Sequence, residues 1–173
     1  MSISFSSDTG QVARSDFNET ERITEEYFGT MNDPEQARVT PENSEWIYEK
    51  ARDYYNIVRN DNEVIGYAFM LPCNKKLMND FLEKRITEAA LFEEIKALNP
   101  SKPPETIYLC SSIIKKEYQG RGLATTAFVK AISKITKKSK TKPVLFYEGY
   151  SEEGEKVARK VATMTGLELR ARK

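Results

Sequence analysis

The amino-acid sequence predicts an α/β (α+β) fold, and three observations carry that prediction. Segments with apolar residues at three- and four-residue spacing alternate with short runs rich in β-branched and aromatic residues. Two of those runs flank Asn60-Asp61-Asn62-Glu63, a turn-rich interruption that predicts an antiparallel hairpin. A third run, Thr106 to Ile114, is followed by a glycine turn that opens directly into a helix. The predicted order is helix, helix, hairpin, helical insertion, strand, helix, strand, helix, strand. At 173 residues the reading is of one domain, 1–173, with the insertion over residues 74–104 and no internal repeat or long linker.

Each element has its own signal. Phe17, Ile23, Tyr27 and Phe28 accompany Asn18-Glu19-Thr20-Glu21 and stop at Gly29, which predicts a first helix over residues 18–28 with its acids at the favourable end. Asp33-Pro34 falls in the following loop. Thr40-Pro41-Glu42 reads as a cap with proline at the first helical position, and Trp46, Ile47, Ala51, Tyr54 and Tyr55 supply that helix with an apolar face. Tyr55 to Arg59 and Val64 to Leu71 form the hairpin; Pro72 is expected to end its second strand, whose free edge Ile107 to Ile114 would fill.

The insertion keeps helical spacing through Leu77, Met78, Phe81, Leu82 and Ile86, then through Ala89, Phe92, Ile95 and Leu98. Thr87 serves as an internal cap and Asn99-Pro100 as a stop, which predicts two short helices. They either pack on the outside or shape and cover an acceptor pocket. Further on, Leu123, Ala124, Ala127, Phe128, Ala131, Ile132 and Ile135 make one apolar helix face, leaving Lys130, Lys134 and Lys137 outside it. Pro143 to Glu148 reads as a strand, Ser151 caps a helix that runs to Thr165 and ends at Gly166, and Leu167 to Arg170 reads as a last strand.

The turn between Gln119 and Thr125 is the most informative segment. Backbone N–H groups at a helix start have no intrahelical partner and sit at the positive end of its dipole, so a phosphate there collects several hydrogen bonds. Gly120 and Gly122 let such a ligand reach the backbone. A Walker loop would need Gly-Lys-Ser/Thr, which is absent. A dinucleotide fingerprint would need a small residue at Thr125 and an acid about twenty residues on, where a lysine-rich stretch ends at Lys142. Gln119-x-x-Gly122-x-Ala124 remains. Here the chain resembles the GNAT superfamily of acyl-CoA-dependent N-acetyltransferases, whose signature is Gln/Arg-x-x-Gly-x-Gly/Ala after a strand and at a helix start.

The resemblance implies a mixed, mostly antiparallel central sheet flanked by helices; the insertion, between the third strand and the cofactor-binding strand, departs from the family's usual short connection. It implies acetyl-CoA as acyl donor, an amine as acceptor, and direct attack in a ternary complex. Backbone groups at Ser112, Ile113 and Ile114 would meet the pantetheine arm and thioester, one donor stabilising the developing oxyanion. The pyrophosphate would lie on the N–H groups of Gln119, Gly120, Arg121, Gly122, Leu123, Ala124 and Thr125. A ribose phosphate would be met by Arg121 or by a lysine of the Lys130–Lys142 run.

Catalytic side chains depart from the family pattern. The family's tyrosine on the last helix falls at Ala162, its helix-start asparagine at Glu155, and its occasional glutamate on the cofactor strand at Tyr108. Tyr108 and Glu148 are therefore the candidates for base or proton relay, and Tyr147 or Tyr150 for acid. The altered last helix keeps a second function open, a non-catalytic acyl-CoA-binding regulatory module.

Composition narrows the chemistry. Twenty-seven basic against 26 acidic residues leave a net charge of +1, with no general attraction to nucleic acid. Six lysines stand between Lys130 and Lys142 without an acid, but no aromatic or arginine is charged with base stacking around them, so they read as a solvated face. Histidine is absent, which removes Ser-His and Cys-His nucleophiles and the commonest metal ligand. Acyl transfer from a thioester survives that loss, and no metal is expected. Cys73 and Cys110 are expected to be reduced.

The longest nonpolar run, Gly66 to Pro72, is too short to span a bilayer, and Met1 to Gly10 lacks the pattern of a signal peptide; a cytoplasmic monomer or homodimer without membrane association is the expectation. Glu19, Glu21, Glu25 and Glu26 hint at a cationic acceptor. A small amine, a peptide amino terminus and a lysine side chain all stay open.

Overall fold

A computed structural model describes residues 2–10, 12–28, 33–37, 39–99 and 102–173, with Phe28 described by its backbone only. Gly29 and Pro100, the expected stops of two helices, lie outside the described residues.

The chain runs β1 (Ile3–Phe5), α1 (Ser6–Thr9), α2 (Arg14–Phe28), α3 (Pro41–Lys50), β2 (Tyr55–Asn60), β3 (Glu63–Cys73), α4 (Lys75–Leu82), α5 (Glu88–Lys96), β4 (Thr106–Ile114), α6 (Leu123–Thr136), β5 (Val144–Glu148), α7 (Glu152–Thr165) and β6 (Leu169–Arg172). The six strands form one sheet in sequential order. β1 to β4 pair antiparallel, and β4, β5 and β6 pair parallel through the crossover helices α6 and α7. This is the mixed, mostly antiparallel sheet flanked by helices that the sequence predicts.

Helix ends follow the expected capping chemistry. Thr40, Asn74, Thr87 and Ser151 each accept a backbone N–H with the side chain at the start of α3, α4, α5 and α7. Gly166 closes α7 at φ +69° and donates its N–H to the Ala162 carbonyl.

Alternation of side chains across the strands divides the core in two. One face packs Phe17 and Ile23 of α2, Met78 and Phe81 of α4 and Leu91, Phe92 and Ile95 of α5 against Tyr55, Tyr67, Phe69, Tyr108 and Phe146. The other packs Ala127, Phe128, Ala131 and Ile132 of α6 and Ala158 and Val161 of α7 against Val58, Ile65, Met70, Ile107 and Leu145. The sheet is thus covered on both sides, with the insertion helices on the α2 side.

Several boundaries differ from the sequence reading. α2 begins at Arg14 rather than Asn18. α3 ends at Lys50; Ala51 is its C-cap, Arg52–Tyr54 form a 3-10 turn, and Tyr55 already belongs to β2. β3 continues through Pro72 to Cys73, with Pro72 opposite Ile107. The pairing of β2 with β3 stops at Tyr55 and Phe69, so the missing N–H of Pro72 breaks no ladder on that side. The last strand lies two residues later, Leu169–Arg172. β1 and α1 have no counterpart in the sequence reading; β1 pairs with β2, and α1 is tied to α6 through Asn56 of β2, which accepts from the Ser7 N–H and donates to the Ala127 carbonyl at 2.8 Å.

Candidate active site

Two features of β4 open the sheet. Its parallel pairing with β5 covers only Thr106–Tyr108 against Val144–Phe146, so beyond Tyr108 the two strands part and the β5-facing edge of β4 loses its partner. Its antiparallel pairing with β3 shifts register where Phe69 faces Ser111 and Met70 faces Leu109, leaving Cys110 as the extra residue of a bulge. The bulge lets two consecutive residues, Cys110 and Ser111, line the same cavity on the α2 side.

On the other side of the opening lies a groove of about 470 Å³. Leu109, Ser112 and Ile114 of β4 form its floor, the turn from Tyr118 to Thr125 one end, and Tyr147, Glu148 and the first turns of α7 its opposite wall. The turn has the geometry that its glycines suggest: Gly120 and Gly122 have φ of +79° and +71°, and a Cβ on either would meet nothing within 4 Å. Gly122 is the N-cap of α6, with no side chain satisfying the first N–H groups. Gln119 locks the turn by donating its side-chain amide to the Ile114 carbonyl at 2.8 Å. This is a backbone cradle open to an anion.

Of the residues expected to meet the donor, Ser112, Ile114, Gln119, Gly120, Gly122, Leu123, Ala124 and Thr125 line the groove. Ile113 faces the opposite core, against Tyr67, and the Arg121 guanidinium lies 5.7 Å from the Tyr118 ring centre; neither is among the described lining residues. Nor is any lysine of the Lys130–Lys142 run; Lys130 pairs with Asp8 at 2.9 Å. The lysines that do line the groove are Lys156 and Lys160 of α7, a pair four residues apart that the sequence reading passed over.

The cavity on the α2 side measures about 360 Å³. Phe17, Tyr55, Tyr67, Phe69 and Phe92 wall it, and Glu21 and Glu88 bring carboxylates to it. Cys110, Ser111, Tyr150 and Ser151 line both this cavity and the groove, so the two spaces meet at the bulge and at the loop that precedes α7.

Glu88 is the group that sequence reasoning missed. It is the first residue of α5 and only 8% exposed, and its carboxylate accepts from the Ala37 N–H at 3.0 Å, the Tyr108 hydroxyl at 2.9 Å and the Cys110 thiol at 3.6 Å. Burial pushes its carboxyl above the usual range, against those three donors and with the charge of Glu148 adding to the rise. Burial, then the charge of Glu88, pushes both the Tyr108 phenol and the Cys110 thiol well up, so each stays protonated near neutral pH.

Tyr108 is 0% exposed, stacks on Phe146 at 5.1 Å, and lines neither space; it stands behind Glu88. Glu148 lines the groove 3.5 Å from the Arg172 Nε. Tyr150 is 56% exposed yet walls both spaces, and partial burial there, with the charge of Glu88 and a hydrogen bond to Glu148, pushes its phenol up. Tyr147 lines the groove alone, its phenol raised by burial and by Glu155. On the other wall, burial raises the Glu21 carboxyl against a hydrogen bond with Ser44.

Cys73 and Cys110 are both free thiols. Among the described residues no group of three His, Cys, Asp or Glu could hold a metal ion, and no helix is long and apolar enough to cross a membrane.

Sheet order, the opening of β4 and the cradle at Gly122 set an open groove with an uncapped helix start at the mouth of a split sheet. Compared with known families, residues 18–146 match the acetyltransferase (GNAT) family, and the chain belongs to it. Membership supports acetyl transfer as the general activity and a coenzyme A type partner. The match ends inside β5, ahead of Tyr150 and α7, where the sequence departs from the family pattern. No curated protein matches the chain.

Proposed function

We propose that the protein is an N-acetyltransferase that moves an acetyl group from acetyl-CoA to a primary amine by direct attack, both substrates being bound at once. One observation carries the reading: the groove and the aromatic cavity are separate spaces that share Cys110, Ser111, Tyr150 and Ser151 as a common wall. Donor and acceptor can therefore each have their own site, with reacting atoms brought together where the sites join.

In this reading the acetyl-CoA phosphates lie on the N–H groups after Gly122, and the acyl end runs along the unpaired edge of β4 from Ser112 towards Cys110. An N–H on that edge offsets the charge that grows on the thioester oxygen. The acceptor nitrogen forms a bond to the acetyl carbon as the bond from that carbon to sulfur breaks. Glu88 takes the proton from nitrogen and returns it to solvent, and Tyr150, kept protonated by its surroundings, gives one to the departing sulfur and is refilled from solvent. Tyr108 acts through Glu88 by fixing its carboxylate. The insertion thus contributes to the acceptor site directly, through Glu88 and Phe92.

Ala162, in place of the family's tyrosine, favours a second reading as a non-catalytic acyl-CoA-binding module. Thiol release from acetyl-CoA separates the two. Transfer predicts release that depends on added amine and falls at least about tenfold in Tyr150→Phe; acetyl-CoA binding without any amine-dependent release leaves the binding module.

A further inference from the structure

Neither the fold nor family membership says which amine is used, but the aromatic cavity carries three independent constraints. The first is size. About 360 Å³ holds roughly a dozen water-sized groups at about 30 Å³ each, which suits a small molecule or one side chain.

The second is the character of the walls. Phe17 meets Tyr55 edge-on at 5.0 Å, and Tyr55 stacks on Tyr67 and leans on Phe69, each at 5.1 Å. These rings are held in place by hydroxyl contacts, Tyr55 with Thr20 at 2.7 Å in the interior and Tyr67 with the half-buried Thr24 at 2.6 Å. A continuous, fixed aromatic surface binds apolar bodies and favours an ammonium group near its faces.

The third is charge. Glu21 and Glu88 stand on different elements, and no described lining residue is Lys or Arg. Among the described residues, Arg14, which acts on Glu21 at a distance, donates to both oxygens of Glu45, and Lys96 binds Asn43 and Glu93 at 2.8 Å. An acceptor with its own carboxylate would bring a third negative group into a space that no described Lys or Arg lines. At an effective dielectric near 20, a like charge about 6 Å away corresponds to about a 100-fold loss of affinity.

We infer that the acceptor is a small primary amine on an apolar body that carries no carboxylate, and that Glu21 is the residue that sets this preference. The inference rests on the acetyl-transfer reading of the site. Glu88 receives the reacting nitrogen where the cavity meets the groove, and Glu21 keeps the remote wall negative.

The probes are 2-phenylethylamine and phenylalanine, which share a body and differ by one carboxylate. Each is titrated calorimetrically into the full chain with coenzyme A present, and each is assayed for acetylation at saturating acetyl-CoA. The expected result is binding of 2-phenylethylamine with phenylalanine about 100-fold weaker. Glu21→Gln should close most of that gap, to within about threefold, through KM rather than kcat.

Equal affinity for the two probes, or an unchanged gap in Glu21→Gln, overturns the inference, as does acetylation of a lysine-bearing peptide with neither probe bound. If the gap is found but acetyl-CoA neither binds nor loses its acetyl group, the acetyl-transfer reading fails and the amine preference of the cavity stands.

Discussion

Replacing Glu88 with Gln perturbs the proposed proton path with little change of shape. The Gln amide can offer its oxygen to the Ala37 N–H, now bonded at 3.0 Å, and its NH2 to the Tyr108 hydroxyl, which rotates to accept. What goes is the charge and the thiol contact at 3.6 Å. Exchanging charge-assisted for neutral bonds costs about 1 kcal/mol, offset in part because Gln buries no ion, so Tm should move by no more than about 4 °C.

Loss of a positioned base is the larger effect. Such groups contribute about 10²- to 10⁴-fold, and water can enter a cavity that opens to solvent, which puts the expected loss in kcat near 100-fold, or about 2.7 kcal/mol of barrier. The pH dependence gives a second readout. Burial raises the Glu88 carboxyl, and the base works when ionised, so wild-type kcat should rise with pH through that raised value, above the ordinary value of about 4.3. The variant should lose that limb.

Stability runs the opposite way. A raised carboxyl contributes stability that is fully present below about 4.3 and lost as pH rises through the folded-state value, so Glu88→Gln should gain stability relative to wild type across that window. Thiol release at saturating acetyl-CoA and amine, followed across the pH range, is the assay. A kcat within about threefold of wild type with the acid limb intact would refute the role of Glu88.

Gly122→Ala places a side chain at φ +71° with open space around its Cβ, so the cost is backbone strain of about 1–2 kcal/mol and obstruction of the cradle. Calorimetry should show acetyl-CoA affinity weakened about tenfold with amine affinity within about twofold; equal weakening of both would contradict a donor-specific turn. Gly66→Ala would put a Cβ about 2.2 Å from the Ile113 carbonyl oxygen and 2.7 Å from the Ile114 side chain. A loss of about 1–3 kcal/mol is expected on thermal unfolding, and an unchanged Tm would contradict that close approach of β3 and β4.

Local signals were legible wherever a backbone requirement and a side-chain pattern coincide. The positive φ of Gly120 and Gly122 demands glycine, and the apolar period that follows fixes α6. α7 was readable at both ends because Ser151 and Gly166 are caps with few alternatives. β1 was not, since Ile3–Phe5 is too short for alternation to show and is held by pairing with β2.

Pro72 misled because a proline ends a strand only where its N–H would be needed. Glu88 was invisible for another reason. An acid in the first turn of a helix reads as compensation of the helix dipole, and only the fold brings it against Tyr108 and Cys110, twenty or more residues away. Tyr108, by contrast, could be singled out because the resemblance puts the family's occasional glutamate at that position, while its depth behind Glu88 could not.

Direct attack, with donor and acceptor bound together, is tested most plainly by asking whether the protein itself ever carries the acetyl group. The full chain is incubated with acetyl-CoA alone, freed of ligand, and weighed intact and as peptides; a second sample receives the amine before the same treatment. The account predicts an unmodified protein in both samples, with coenzyme A thiol released only when amine is present, because the protonated Cys110 at the junction is a wall of the site and not a nucleophile. An acetyl group on Cys110 before amine is added, and its loss once amine arrives, would contradict the ternary complex at the centre of the account.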